Sequence, residues 1–133
     1  MRLIIFTDGG ARGNPGPAGI GIVIKEGGKI VKEYGEYIGV ATNNQAEYRA
    51  LISALESAKE MGATEIAVFM DSELIVKQLK GEYRVRDAGL SPLYLKVHNL
   101  RAGFRKFFVS HVPREKNKEA DKLVNEAIDY HVT

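Results

Sequence analysis

Apolar positions follow two different periods along this chain, and the first forty residues carry only the shorter one. Leu3-Ile4-Ile5-Phe6 is a continuous apolar run that predicts a buried strand over 2–7. Residues 19–25 (GIGIVIK) alternate and predict a second strand. Glu26-Gly27-Gly28 predicts a hairpin turn, and 29–38 (KIVKEYGEYI) a third strand. The third strand places Ile30, Lys32, Tyr34, Glu36 and Ile38 on one face. That face is imperfectly apolar, as expected of an antiparallel edge with one wet side.

From residue 43 the period lengthens. Ala46, Ala50, Leu51, Ala54, Leu55 and Ala58 form one helical stripe over 43–60. Thr42 with Gln45 matches a capping box at its start, and Gly62 ends it. Residues 65–70 (EIAVFM) read as a buried central strand closed by Asp71. Ser72 caps a helix running to Lys80, with Leu74, Ile75, Gln78 and Leu79 on one side. Residues 81–91 carry Gly81, Gly89 and mixed charges and read as a loop. Pro92 suits the first turn of a helix to about Ala102, with Leu93, Leu95, Val97 and Leu100 apolar. Residues 106–112 (KFFVSHV) are the fifth strand, closed by Pro113. Asn117 caps a last helix with Ala120, Leu123, Val124, Ala127 and Ile128 apolar.

Tight turns make the first three strands antiparallel neighbours, whereas the later strands follow helices and are expected in right-handed parallel crossovers. The fold class is therefore α/β, a five-stranded mixed sheet flanked by helices. Ligands of such sheets favour the carboxyl ends of strands.

Composition narrows the function. At 133 residues, one domain spanning 1–133 is expected. The chain has no Cys, which removes disulfide and thiolate chemistry. No apolar run approaches the ~18 residues of a membrane span, and no signal-peptide pattern opens the chain. A cytoplasmic protein is expected. The net charge of +2 gives no strongly basic footprint overall, yet basic residues gather at Lys77, Lys80, Arg84 and Arg86, and again at Lys96, Arg101, Arg105 and Lys106. Any one of these charges is most simply a solvated surface group.

The candidate chemistry lies in four acids. Asp8 follows the first strand and opens DGGARGNPGPAG (8–19), which holds five of the 14 Gly. Asp71 ends the fourth strand. Glu47 and Asp121 each lie four residues after an Asn and read as first-turn helix acids, where the helix dipole favours a carboxylate. Taken singly, each is an ordinary cap or helix-terminus acid. Glu47, however, shares the apolar stripe, and a buried carboxylate needs a partner. Four converging carboxylates cannot all ionise without cations between them. Oxygen ligands without thiols suit Mg²⁺ or Mn²⁺, and two such ions can clamp both oxygens of a phosphodiester displacement.

Other readings fit less well. A P-loop needs Gly-Lys-Ser/Thr, and 9–19 contains no Lys. A dinucleotide-binding turn opens a helix, whereas here a strand follows. A phosphate-receiver domain lacks the hairpin at 19–38. A non-catalytic nucleic-acid-binding module is the runner-up, although all four acids are present.

TDGGARGNPGPAG (7–19), TNNQAEYRAL (42–51), MDSELIVKQL (70–79) and HVPREKNKEADKL (111–123), in this order, resemble a type 1 ribonuclease H over nearly the whole chain. The resemblance implies a ribonuclease H-like fold and a monomer. It implies a metal-dependent endoribonuclease cutting the RNA strand of RNA–DNA hybrids with two ions, Mg²⁺ or Mn²⁺. The product ends are 5′-phosphate and 3′-hydroxyl. It carries the catalytic, metal-binding roles onto Asp8, Glu47, Asp71 and Asp121, with Asp8 bridging the ions and Glu47 near the 2′-hydroxyl. His111 stands where the family often places a histidine that helps product leave; otherwise it is a strand-end side chain. Arg114, in the same loop, serves the leaving side instead in archaeal-type members. Asn14, Asn43, Asn44 and Gln45 have donors and acceptors suited to sugar and minor-groove base edges, Asn43 being otherwise a helix cap, and Thr42 belongs to the phosphate pocket.

The chain departs from the pattern in two places. Val40 stands where the family often has a phosphate-binding Arg, which weakens that pocket. The basic handle is missing, because 80–91 is too short. Hybrid affinity then falls to Lys77, Lys80, Arg84 and Arg86, and Tyr83 either stacks on a DNA sugar or covers the core. Handle-less relatives can also accept double-stranded RNA.

Overall fold

The computed structural model describes residues 1–132. Its elements are β1 (Arg2–Ala11), β2 (Gly16–Glu26), β3 (Lys29–Ala41), α1 (Asn43–Glu60), β4 (Glu65–Met70), α2 (Glu73–Leu79), α3 (Ser91–Arg101), β5 (Lys106–His111) and α4 (Lys118–Val132). The sheet order is β3-β2-β1-β4-β5. The β1–β2 and β2–β3 pairs are antiparallel, and β1–β4 and β4–β5 are parallel. This is the expected mixed sheet. No described helix is long and apolar enough to cross a membrane.

The glycine-rich stretch is mostly strand. β1 runs on to Ala11 and β2 begins at Gly16, so only residues 12–15 turn. Arg12 N–H donates to the Pro17 carbonyl at 2.8 Å, and the Asn14–Pro15 peptide is cis. Asp8 therefore does not end its strand; it pairs with Gly21 of β2. What ends there is the parallel pairing with β4, whose last partners are Thr7 and Met70. Asp8 is thus the next residue of β1, and Asp71 the residue just after β4, beyond the last paired positions. The register alone sets their carboxylates side by side.

Many of the glycines serve helix packing. A β-carbon at Gly9 would overlap the Ala46 carbonyl oxygen and the Glu47 amide nitrogen, and one at Gly21 would overlap the Ala120 carbonyl oxygen. The bare backbone lets α1 and α4 approach the two sides of β1 and β2 closely.

The core lies chiefly between the sheet and α1, with Leu3, Ile5, Ile22, Ile24, Leu51, Leu55, Ile66 and Val68 essentially inaccessible. β3 is the wet edge expected; of the face carrying Ile30, Lys32, Tyr34, Glu36 and Ile38, only Tyr34 and Ile38 pack on the core. The α1 cap is the predicted one: Gln45 N–H donates to Thr42 Oγ1 and Thr42 N–H to Gln45 Oε1. Two helix faces differ from the sequence pattern. In α2, Val76 is buried while Leu74 is exposed, because the short helix turns its Ile75–Val76 and Gln78–Leu79 pairs inward. In α3, Leu95 is exposed and Val97 is the buried residue.

Candidate active site

Four separate segments deliver the acids. Asp8 comes from the point where β1 leaves β4, and Asp71 from the residue after β4. Glu47 comes from α1 and Asp121 from α4. One oxygen each of Asp8, Glu47 and Asp71 lies within 4.8 Å of the others. Asp121 stands outside this trio but lines the same cleft, where its charge acts on Asp8. All four line one open cleft of about 620 Å³, together with Arg12, Asn43, Asn44, Ser72, Arg114 and Asn125.

The electrostatics are strained. Asp8 is 6% exposed and Glu47 7%. Burial, reinforced by Asp71 and Asp121, pushes the Asp8 carboxyl up to about 8; Arg114 acts the other way. Burial also raises Glu47 well above the usual carboxylate range, with Asp8 and Asp71 adding to it. The Gly9 N–H, donating to Glu47 Oε1 at 2.7 Å, and Arg114 oppose that rise. Carboxylates buried together carry a desolvation and repulsion cost that a hard cation among them removes. The donor set is all oxygen, close and partly dehydrated, and it fits Mg²⁺ or Mn²⁺.

Two details correct the sequence picture. Glu47 lies beyond the first turn of α1, which contains no acid, so the Gly9 amide and not the helix terminus is its fixed donor. Asn117 does not cap α4 with its oxygen. A short 3₁₀ turn, Arg114–Lys116, precedes it, and its side chain crosses back to β1 and β4. Asn117 Nδ2 donates to the Thr7 carbonyl at 2.9 Å and to Asp71 Oδ2 at 3.1 Å. A spacing of four before Asp121 implies only a cap, because a contact 110 residues away leaves no mark on the local pattern.

The remaining candidates divide. Arg114 is in the cleft and its charge acts on Asp8 and Glu47. His111 ends β5 beside Met70, is exposed and does not line the cleft. Its charge is felt by Glu73, which is held low first by its hydrogen bond with Lys77. Asn43 and Asn44 line the cleft, whereas Asn14, Thr42 and Gln45 do not, although Asn14 is exposed beside it on the turn bonded to Asn43. Ala11 N–H donates to Asn43 Oδ1 at 2.8 Å, and Asn43 N–H to Asn14 Oδ1 at 3.0 Å. These bonds lock the β1–β2 turn to the start of α1. Arg12, Ser72 and Asn125 were not singled out from sequence, because a turn Arg, a helix cap and a helix-surface Asn carry no pattern of their own.

The basic groups also sort. Arg101 donates to the Leu79 carbonyl and lies over Phe107, while Arg105 and Lys106 pair with Glu65. Lys77 pairs with Glu73 and lies over Tyr83, which is 50% exposed and so does not cover the core. Lys80, Arg84 and Arg86 are exposed.

Residues 6–127 match the family model described as reverse transcriptase-like. The chain is 47% identical over 129 residues to the ribonuclease HI of Halobacterium salinarum, covering 96% of this chain and 65% of that protein. It is 46% identical to a bifunctional protein of Mycobacterium tuberculosis, of which it spans 36%. The crystal structure of the H. salinarum RNase H1 superposes with a TM-score of 0.95 at 47% identity, covering 97% of this chain and 98% of that one. LC11-RNase H1, solved in complex with an RNA/DNA hybrid, gives 0.94 at 48% identity, covering 98% and 99%. With Asp8 and Asp71 at the end of the parallel pairing, Glu47 of α1 beside them and these relatives along nearly its whole length, the chain belongs to the type 1 ribonuclease H family.

Proposed function

We propose that this protein is an endoribonuclease that hydrolyses the RNA strand of RNA–DNA hybrids using two divalent cations, Mg²⁺ or Mn²⁺. One observation carries the reading: three carboxylates from three elements lie within 4.8 Å, two of them buried, in an arrangement that favours cations. The hybrid complex of a relative 48% identical to this chain supports the choice of substrate.

Asp8, Glu47 and Asp71 would hold the ions, with Asp121 of the same cleft contributing a further carboxylate. Bound there, hard divalent cations polarise a scissile phosphate and lower the pKa of an attacking water. The chain's own groups do the rest. The Gly9 amide fixes Glu47. Arg114 adds positive charge at the cleft, where charge develops on the leaving oxygen. Asn14 and Asn43 have their oxygens engaged by backbone amides, which leaves the Nδ2 donors for minor-groove acceptors. Contact with a 2′-hydroxyl is what separates RNA from DNA. The products are 5′-phosphate and 3′-hydroxyl ends. The protein acts as a monomer in the cytoplasm, and with Val40 in the phosphate pocket it also accepts double-stranded RNA to some degree.

The test is cleavage of four matched duplexes (RNA–DNA, RNA–RNA, DNA–DNA and DNA–DNA with one ribonucleotide) with Mg²⁺, Mn²⁺ or chelator. Metal-dependent cutting of RNA–DNA is expected, with weaker cutting of RNA–RNA. Binding of every duplex without cutting would replace the enzyme by a binding module.

A further inference from the structure

We infer that Asn117 is a positioning residue that ties the acid cluster together, holding Asp71 for the cation and fixing β1 beside Asp8. The inference rests on the metal-dependent reading of the acid site. Asn117 is 1% exposed, in the segment joining the 3₁₀ turn to α4. Its Nδ2 reaches Asp71 Oδ2 and the carbonyl of Thr7, the residue preceding Asp8. Its own carbonyl accepts the Asp121 N–H at 3.1 Å, in the turn that presents the fourth acid. One residue therefore touches Asp71 directly and the backbone at or beside the other two aspartates.

The geometry defines which end of the amide matters. Both neighbours, a carbonyl and a carboxylate, are acceptors, so the NH₂ group must face them; the reversed amide would oppose oxygen to oxygen. Asn117 Oδ1 is buried without a hydrogen-bond partner among the described residues, so nothing holds the side chain by its oxygen. A residue present only to cap α4 would use that oxygen on a helix amide. Here the acceptor is left idle, and the amide donates to Asp71 of the cleft and to the β1 backbone at Thr7. A donor on Asp71 Oδ2 restrains the carboxylate rotamer and leaves Oδ1 as the oxygen that would serve a bound cation. Outer partners of ligating carboxylates act in this way, and their loss typically costs about 10–100-fold in metal affinity or activity.

Two measurements test this. Asn117→Ala removes both amide donors, and the expected result is a ~10–100-fold rise in the Mg²⁺ concentration that half-saturates binding, read by calorimetry without substrate. KM for the hybrid at saturating Mg²⁺ stays unchanged. In the unaltered protein, the ¹⁵N side-chain amide resonance of Asn117 shifts as Mg²⁺ is added, with the same midpoint as the calorimetry. This second readout stands even if the variant does not fold. An unshifted resonance, or a variant of lowered melting temperature with unchanged Mg²⁺ affinity, would overturn the role. A protein that cuts no hybrid yet shows the Mg²⁺-coupled resonance would overturn the nuclease reading and leave Asn117 in place.

Discussion

The backbone N–H of Gly9 donates to Glu47 Oε1 at 2.7 Å, and the same glycine leaves room for the α1 backbone at Ala46 and Glu47. One residue thus sets both the depth of the helix and the direction of its carboxylate. Gly9→Ala is expected to push α1 off the strand. Overpacking against backbone typically costs about 1–3 kcal/mol, and cleavage should fall more than stability does. Urea unfolding and single-turnover cleavage on one preparation check it; an unchanged midpoint with full activity would contradict the packing argument.

The acids are held against their own repulsion, so neutralising one should relieve the metal-free fold. Asp8→Asn and Asp71→Asn are expected to lower cleavage by about 10³-fold or more while the melting temperature in chelator stays equal or rises. Near-normal turnover in either variant would sink the mechanism.

Stability of the metal-free protein should fall as pH rises. The folded Asp8 carboxyl is raised from 3.8 to about 8, and Glu47 is raised too. Between these values the folded state binds protons that the unfolded chain has released. The stabilisation is complete below the unfolded pKa and is lost as pH climbs through the folded one. Thermal unfolding in chelator at pH about 5 and about 9 should show the higher midpoint at the lower pH. Saturating Mg²⁺ should remove most of the difference, since cation binding requires the ionised acids and releases their protons. A midpoint that rises steadily toward pH 9 in chelator would contradict the burial argument.

The sheet and α1 were legible because both rest on local signals: the alternation of 19–25, the run 65–70 and the Thr42–Gln45 box each point to one structure. The glycine-rich segment misled because glycine suggests a turn, and its actual use at Gly9 and Gly21 is set by helices that pack from elsewhere in the chain. Leu74 and Leu95 misled because a short helix can present several faces at similar period. The acids could be picked out by setting and by the family motifs, yet Asn117 could not be told from a cap. Its partners, Thr7 and Asp71, are contacts of tertiary register.

Duplex affinity should depend on salt through the loop after α2. Lys80, Arg84 and Arg86 are exposed there, whereas Arg101, Arg105 and Lys106 are engaged with the protein's own groups. Each phosphate contact contributes about −0.9 to the slope of log K against log salt. Replacing Lys80, Arg84 and Arg86 with Ala should flatten the slope by up to about 2.7. Replacing Arg105 and Lys106 should leave it unchanged. Titration of hybrid binding across salt in chelator decides, and an equal effect of the two sets would discard the assignment.

Arg114 and His111 make opposite predictions, and their placement separates them. Arg114 lines the cleft and draws the carboxyls of Asp8 and Glu47 down, whereas His111 lies outside it and acts on Glu73. Without Arg114 those two acids should hold their protons to higher pH, so the acidic limb of the cleavage profile should move upward. Loss of a charge that stabilises the leaving oxygen should also lower kcat, by about 10²–10³-fold if it resembles removal of one oxyanion donor. His111→Ala should leave the limb where it is and change kcat by less than Arg114→Ala does. The checking measurement is a single-turnover pH profile of the two variants at saturating Mg²⁺. A limb that moves in His111→Ala but stays fixed in Arg114→Ala would transfer the role to the histidine, and would require its ring to swing into the cleft when substrate binds.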